Sequence, residues 1–496
     1  MGRESDRNRE DKNKMSRDKM DRTEADREET GKNREVGDAE DKDEAEKNKT
    51  AREEVRKKYG IQAGLCAFLL LLLWMIASDA YKMLPGFYEN VIRVGVFSDS
   101  YWKVQNGYSY QILEDAIAEF EKQHPGTRVE YVSGIIREDY SEWLSEQMMR
   151  GTAPDIFFVP GEHFNDFAEA GVLMDLTPLI EGDGEFSPER YYTSAYAYGN
   201  YEGVQYALPY ECAPKLMFVN KSILEQEGIG MPGNEWTWED FYRICREVTK
   251  DTDGNGIIDQ FGVVGYTWED AFDSNGVTLF DEKGTECYLT DERAKAGISF
   301  IGKLEELNGG YSISSKEFAL GNVAFQPMLF SEYRAYKSYP LSIKKYSGFE
   351  WDCLTMPAGP EGRNISRLDT LTLSMSRSTI HKQEAWELMK LLTGDGKIQS
   401  EIFRYSEGVS VLREVVESEE NQGFLTRNPD TGNAPGLFLL SDAVEQAVVT
   451  ARFHDYDRAV GEADRAVRSI LEGSSNINME TIIQNRKVNR YLKEMQ

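Results

Sequence analysis

Cysteine is scarce in this chain: five in 496 residues, with no Cys-x-x-Cys pair. That excludes a zinc ribbon and a thioredoxin-like redox motif. Cys66 lies in an apolar run, and Cys212, Cys245, Cys287 and Cys353 are scattered. Two disulfides and four free buried thiols are both open, the thiols being preferred. Histidine is scarcer still: His124, His163, His381 and His454 show neither metal spacing nor pairing with a nucleophile. No Gly-x-Ser-x-Gly elbow, Walker loop or Gly-x-Gly-x-x-Gly loop occurs. Basic charge is also short, with 57 Lys and Arg against 86 Asp and Glu, a net of −29. Such a field repels phosphates, so nucleic acid is excluded as a partner.

What is present falls into three parts. Residues 1–58 are a mixed-sign run with hardly any apolar side chain; residues 1–60 hold 18 basic and 19 acidic groups, a net of −1, so −28 of the −29 belongs to the rest. A segment of this kind buries too little to offset chain entropy and is expected to be a disordered cytoplasmic tail. Residues 61–78 follow as 18 uncharged residues including Phe68–Ile76. At about 1.5 Å per residue they span roughly 27 Å, near the hydrocarbon thickness of a bilayer. Arg56, Lys57 and Lys58 precede this run and Asp79 follows it, which predicts a single-pass transmembrane helix with the N-terminus cytoplasmic and the remainder extracellular. A cleaved signal peptide fits less well, because the preceding region is far too long for one.

From Val91 the pattern becomes α/β. Val91–Phe97 reads as a buried strand, Ile112, Leu113, Ala116, Ile117 and Phe120 as one helix face ended by Pro125-Gly126, and Thr127–Val132 as a second strand. A βαβ unit of this kind implies a parallel sheet covered by helices. A helix carrying Trp143, Leu144, Met148 and Met149 leads to a third strand, Ile156–Val159. Helical faces recur at Ala385, Leu388, Met389 and Leu392; at Ala443, Ala447 and Val448; and at Ala459, Ala463, Ala466, Val467 and Ile470.

Several segments, in order, resemble one family. Pro154-Asp155-Ile156-Phe157-Phe158-Val159, then Phe164, Phe167, Ala168, Gly171, Leu173 and Asp175-Leu176-Thr177-Pro178, is similar to the family 1 extracellular solute-binding proteins of ABC importers. Leu208-Pro209 with Phe218–Lys221, Trp236–Phe241 with Thr237 as helix cap, Ser274-Asn275-Gly276 with Phe280–Gly284, Phe318–Ala324, and Met356–Pro360 continue the resemblance over residues 90–475. It implies an α/β, two-lobed, periplasmic-binding-protein-like (type II) fold with a hinge and an interlobe cleft. The domain would occupy 90–496, with one lobe about 90–210 and 352–400 and the other about 211–351 and 401–496. It further implies a non-enzymatic receptor that closes on a small solute, a carbohydrate by family habit, and delivers it to the permease subunits of an ABC importer.

Ligands of open α/β sheets lie beyond the carboxyl ends of strands. Asp99 and Trp102 follow the first strand, and Glu162 and His163 the third, where a family member places an acidic–basic pair on its sugar. Tyr210 and Glu211 follow Pro209; Trp268, Asp270, Phe330 and Tyr333 are the candidates of the other lobe. The family's stacking tryptophan aligns near Ser331, which passes the aromatic role to a neighbour. Aromatic faces and hydrogen-bonding carboxylates are what a polyhydroxylated guest needs.

No cofactor is required, but Asp251, Asp253, Asn255, Ile257 (through its carbonyl) and Asp259, with Gly256 at the sixth place, match nine positions of a calcium loop. The twelfth is Gly262 where a bidentate Glu belongs, so a structural calcium and an Asx-rich turn are both open. Two other functions compete with transport: a sensor signalling through the tail, and a glycoside hydrolase, which would need two catalytic carboxylates at a fixed spacing.

Overall fold

The computed structural model describes residues 90–102, 110–338, 348–421, 437–473 and 476–495. The tail, the apolar run 61–78 and Cys66 lie outside the described residues. Among the described residues no helix is long and apolar enough to cross a membrane.

Among the described residues, eleven strands build the body. β1 (Asn90–Gly95), β2 (Thr127–Tyr131) and β3 (Ile156–Val159) are parallel, in the order β2-β1-β3. The run read from Val91 and the alternation read at Thr127–Val132 are therefore strands of a βαβ unit with helix Gln111–Gln123 as its crossover, and helix Arg137–Arg150 crosses on to the apolar run Ile156–Val159. A small hairpin, β4 (Asn200–Tyr201) with β5 (Val204–Gln205), turns at Glu202 (φ 50°) and Gly203 (φ 85°). Both φ values are positive, as a two-residue hairpin turn demands.

β6 (Ala207–Asn220) is the long strand that joins the halves. Its first part pairs antiparallel with β10 (Leu368–Met375), and its second part with β8 (Val323–Leu329) and β9 (Trp351–Leu354). β7 (Phe261–Val263) extends β8 in parallel, and β11 (Val409–Ser410) adds to β6 at Glu211 and Cys212. Proline cannot donate to a ladder. Pro209 sits where the β6–β10 register shifts between Leu371 and Thr372, and Pro214 ends the pairing opposite Leu368. The strand that links the two cores is thus interrupted at the crossing.

Two large apolar cores lie on either side. The first gathers Ile92, Val94, Ala116, Phe120, Phe157, Leu208, Leu373, Leu388 and Met389; the second gathers Phe241, Ile244, Phe272, Ile298, Phe325, Ala463, Val467 and Leu492. A third group, including Tyr192, Phe218, Phe330, Val411 and Leu412, packs along the middle of β6. These cores define a first and a second lobe.

Local chemistry fixes individual elements. Helix Trp238–Val248 begins in a reciprocal capping box: Asp240 N donates to Thr237 Oγ1 (3.3 Å), and Thr237 N to Asp240 Oδ2 (3.2 Å). Thr237 is therefore the cap its sequence position suggests. Helix Tyr456–Glu472 buries Ala459, Ala463, Ala466, Val467 and Ile470, the face read from their spacing. Helix Leu437–Glu445 ends earlier than its pattern implied. Ala447 and Val448 lie beyond it, because Val448 N donates to Ser366 O (2.8 Å) and bridges Arg367 instead. Cys212, Cys245, Cys287 and Cys353 are four buried thiols with no disulfide between them.

Candidate functional site

The ends of β1 and β3 and the start of β10 meet at the rim of the first lobe. Tyr101, just past β1, donates its hydroxyl to Asp369 Oδ1 (2.8 Å) and accepts from Gly161 N (3.3 Å). Burial, then the neighbouring Asp369, pushes the Tyr101 phenol far above its ordinary value, so it stays a neutral donor. Burial likewise raises the Asp369 carboxyl, opposed by the Tyr101 hydrogen bond. Arg137 completes the wall: its guanidinium lies 5.0 Å from the Tyr101 ring and donates to Glu162 Oε1 (2.5 Å), while its backbone N–H donates to Asp99 Oδ1 (2.6 Å).

The loop before helix Tyr456–Glu472 brings the second lobe to this rim. Asn165 Nδ2, in helix Phe164–Glu169, donates across the seam to Phe453 O (3.4 Å), and Phe453 is anchored in the second core. Arg452 places its guanidinium 4.4 Å from the Tyr198 ring and 5.4 Å from that of Phe164. Its Nε and Nη2, and Asn165 Oδ1, are sealed from solvent and have no hydrogen-bond partner among the described residues. Burial draws the Arg452 pKa below the usual guanidinium value. A half-buried cation against two rings, with two sealed donors unspent, is an expensive arrangement unless something else accepts from it.

The sequence candidates divide accordingly. Asp99, Glu162 and His163 stand at this rim, the first two exposed. Trp102 is 4% exposed and packs edge-on to Tyr101 at 4.7 Å. Tyr210 and Glu211 are buried behind the rim, Tyr210 against Phe158 (4.8 Å) and Glu211 accepting from Ser406 Oγ (2.5 Å). Trp268 is buried in the second core and donates to Asp464 Oδ1 (3.1 Å). Asp270 caps its own helix through Thr267 and pairs with Lys215 Nζ (2.5 Å). Phe330 and Ser331 are fully buried, and the Tyr333 side chain lies outside the described residues. Sequence reasoning missed Tyr101, Arg137, Tyr198, Asp369 and Arg452. The run Arg452-Phe453-His454-Asp455-Tyr456-Asp457, polar and aromatic and directly before a helix, was the available signal.

Beneath the rim a second buried group sits on β6. Burial raises the Glu211 carboxyl, holds Glu407 up at about 7, and lowers Arg334 to about 10. Arg334 Nη2 donates to Phe403 O (2.7 Å), and Ser100 Oγ to Glu407 Oε2 (3.4 Å). A carboxylate whose folded pKa exceeds its unfolded one keeps its proton longer in the native state. The contribution of Glu407 is therefore full below about pH 4.5, is lost as pH rises through about 7, and then levels. Glu407→Gln is expected to flatten this slope and to stabilise the protein at pH 8 by about 2 kcal/mol. Melting temperatures between pH 4.5 and 8 check it; a steeper slope in the variant contradicts it.

The loop 249–260 links helix Trp238–Val248 to β7. Asp251 accepts from Gly254 N (2.8 Å), Asn255 N (3.3 Å) and Gly256 N (2.6 Å), and Asp259 from Thr252 N (2.8 Å). Carboxylate oxygens of Asp251, Asp253 and Asp259 all lie within 4.8 Å of one another. The loop is an Asx-rich turn whose acids converge.

Two α/β lobes threaded by one interrupted strand, with ring-stacked and unspent polar groups at their seam, have the build of a bilobal binding protein. Residues 105–398 match the family described as bacterial extracellular solute-binding protein. The chain belongs to that family. A lipoprotein of Streptomyces antibioticus, itself uncharacterized, is 26% identical over 305 residues, 56% of this chain and 62% of the relative. The arabinooligosaccharide-binding protein of Halalkalibacterium halodurans is 21% identical over 240 residues, 45% of this chain and 51% of the relative. The chain thus spans less than two thirds of the length of these relatives. Among solved structures, the sugar-binding protein MalE from Xanthomonas citri is similar at a TM-score of 0.66 and 16% identity, covering 82% of this chain and 98% of that one. The cyclic alpha-maltosyl-1,6-maltose binding protein from Arthrobacter globiformis matches at 0.66 and 14% identity, covering 82% and 99%. At these identities the structural likeness establishes the fold.

Proposed function

We propose that the chain is an extracellular receptor for a neutral oligosaccharide, which it encloses between its lobes without altering it and passes to an ABC-type importer. In this reading the segment 61–78 holds the receptor at the outer face of the cell membrane. The observation that carries it is Arg452: a half-buried side chain whose guanidinium lies against the Tyr198 and Phe164 rings, with Nε and Nη2 sealed from solvent and left over as donors among the described residues. Sugar hydroxyls accept from such donors while pyranose faces lie on rings. Charge argues for a neutral guest. Glu162, Asp166, Asp369 and Asp457 outnumber Arg137 and Arg452 at the seam, and burial followed by Asp166 and Glu162 raises the Asp457 carboxyl. Relatives and structural neighbours named for arabino- and malto-oligosaccharides lend the class further support.

The loop 249–260 is proposed to take calcium in a structural role, held by Asp251, Asp253, Asn255, Asp259 and the Ile257 carbonyl. A thermal-shift screen of the full chain against malto-, manno- and arabino-oligosaccharides, with and without calcium, tests both parts. Ligand at 100 times its Kd stabilises a folded state by about 2.7 kcal/mol. One sugar class is expected to raise Tm, and calcium to raise it independently. A flat response to every sugar counts against the receptor, and a flat response to calcium against the metal.

A further inference from the structure

We propose that the outer face of the last helix of the second lobe, Ile477–Met495, lies against an anionic phospholipid surface. The helix buries Thr481, Gln484, Val488 and Leu492, the last two in the second core. Side-chain amides pin its rotation: Asn485 Oδ1 accepts from Leu289 N (2.9 Å), Asn489 Oδ1 from Cys287 N (2.8 Å), and Gln484 Nε2 donates to Ser469 Oγ (2.8 Å). The opposite face is therefore fixed outward, and its side chains follow one another three and four residues apart.

That face has two halves. Met479, Ile482 and Ile483 come first, 64%, 44% and 40% exposed. Arg486, Lys487, Arg490 and Lys493 continue the row, all exposed and none in an ion pair among the described residues. On the preceding helix, by contrast, Arg465 is matched by Glu462 (2.5 Å) and Arg468 by Asp464 (2.7 Å). The last helix holds four basic and two acidic side chains in a chain whose net charge is −29. Its cations thus stand out from their surroundings.

Exposed apolar side chains in line with unmatched Lys and Arg are what interfacial helices present to lipid. The apolar groups enter the acyl boundary while the cations meet phosphate. From Met479 to Lys493 the row runs about 21 Å along the helix. Three apolar side chains fall far short of the roughly 800 Å2 that each partner of a stable protein pair buries, which argues against a second copy of this chain as the occupant. The acidity of the remaining surface does not forbid the contact. Fields fade over about 8 Å at physiological ionic strength, so a surface touching this row meets its cations first. The inference depends neither on the sugar nor on the segment 61–78.

The test uses the full chain with bilayer nanodiscs of phosphatidylcholine alone or of equal parts phosphatidylcholine and phosphatidylglycerol. Bimane on Ile482→Cys reports the face, because Cys212, Cys245, Cys287 and Cys353 are buried and the unsubstituted chain gives the background from Cys66. Bimane on Met149→Cys, an 82% exposed site of the first lobe, is the control. Anionic discs are expected to shield the Ile482 probe from aqueous iodide and to expose it to doxyl lipid, with the Met149 probe unchanged. Each cation strengthens such a contact by about fivefold, so replacing Arg486, Lys487 and Arg490 together by Gln should weaken it about a hundredfold and restore iodide access. Melting temperature should not change in that variant, since all three side chains are exposed. Equal iodide access on neutral and anionic discs overturns the proposal. Shielding that survives the triple variant, or that appears equally at Met149, overturns it as well. Shielding that needs no lipid and grows with protein concentration assigns the face to a second copy instead.

Discussion

Arg452→Met is expected to raise the melting temperature of the ligand-free protein and to weaken sugar binding by about 10- to 100-fold. Both effects come from the same atoms. Nε and Nη2 of Arg452 are buried without acceptors among the described residues, and an unsatisfied buried donor costs about 1–3 kcal/mol. Methionine fills much the same volume between Phe164 and Tyr198 and carries no donor to satisfy. The guest's hydroxyls, in contrast, lose charge-assisted hydrogen bonds of about 1.5–3 kcal/mol. Calorimetric titration with the sugar selected by the thermal screen, beside melting curves of the free protein, measures both. A variant that melts lower and binds equally well would show that Arg452 is a packing residue. Tyr198→Ala removes one ring of the sandwich and should weaken binding too, though it also surrenders the hydrogen bond from Tyr198 to Leu368 O and so lowers Tm.

The second large effect is expected at Arg367, the residue before β10. Its Nε donates to Asp273 Oδ2 (2.6 Å) and its Nη1 to Glu269 Oε1 (3.0 Å), tying helix Trp268–Ser274 of the second lobe to the strand that enters the first. Asp273 is 5% exposed, and burial already raises its carboxyl despite the guanidinium beside it. Removing one partner of a buried pair leaves the other charged and desolvated, which costs about 3 kcal/mol. Arg367→Ala should therefore lower Tm by several degrees, and Asp273→Asn added to it should recover part of the loss. Equal melting of the single and double variants would show that the pair is not coupled. The same logic separates Asp270 from a ligand role, since its carboxylate is committed to Lys215 and to its own helix start.

What the sequence revealed and what it concealed divide along sequence distance. β3 was legible because four apolar residues stand between Pro154-Asp155 and Pro160, and the start of helix Trp238–Val248 because Thr237 stands as its cap within the resemblance of Trp236–Phe241. The helical face Ala459–Ile470 was legible from its period. Val448 was not, because its partner Ser366 lies far away in the chain and its backbone bond wins over helix continuation. The rim was half visible: Asp99, Glu162 and His163 follow strands, as ligand-facing residues of α/β sheets do. Trp268 and Phe330 look the same in a sequence whether they face a guest or a core, and here they pack in cores. Arg452 could not be placed beside Phe164 without the fold, since no local pattern records a contact between a loop near the end of the chain and a helix near the start of the domain.

The proposed receptor mechanism requires that a guest bind in the seam and leave it unchanged. Calorimetric titration of the full chain with the sugar class chosen by the thermal screen, followed by chromatography of the recovered sugar, addresses this directly. One sugar per chain, intact on recovery, with affinity lowered in Arg452→Met, is the expected result. Shortened products, or equal affinity in Arg452→Met, would contradict it.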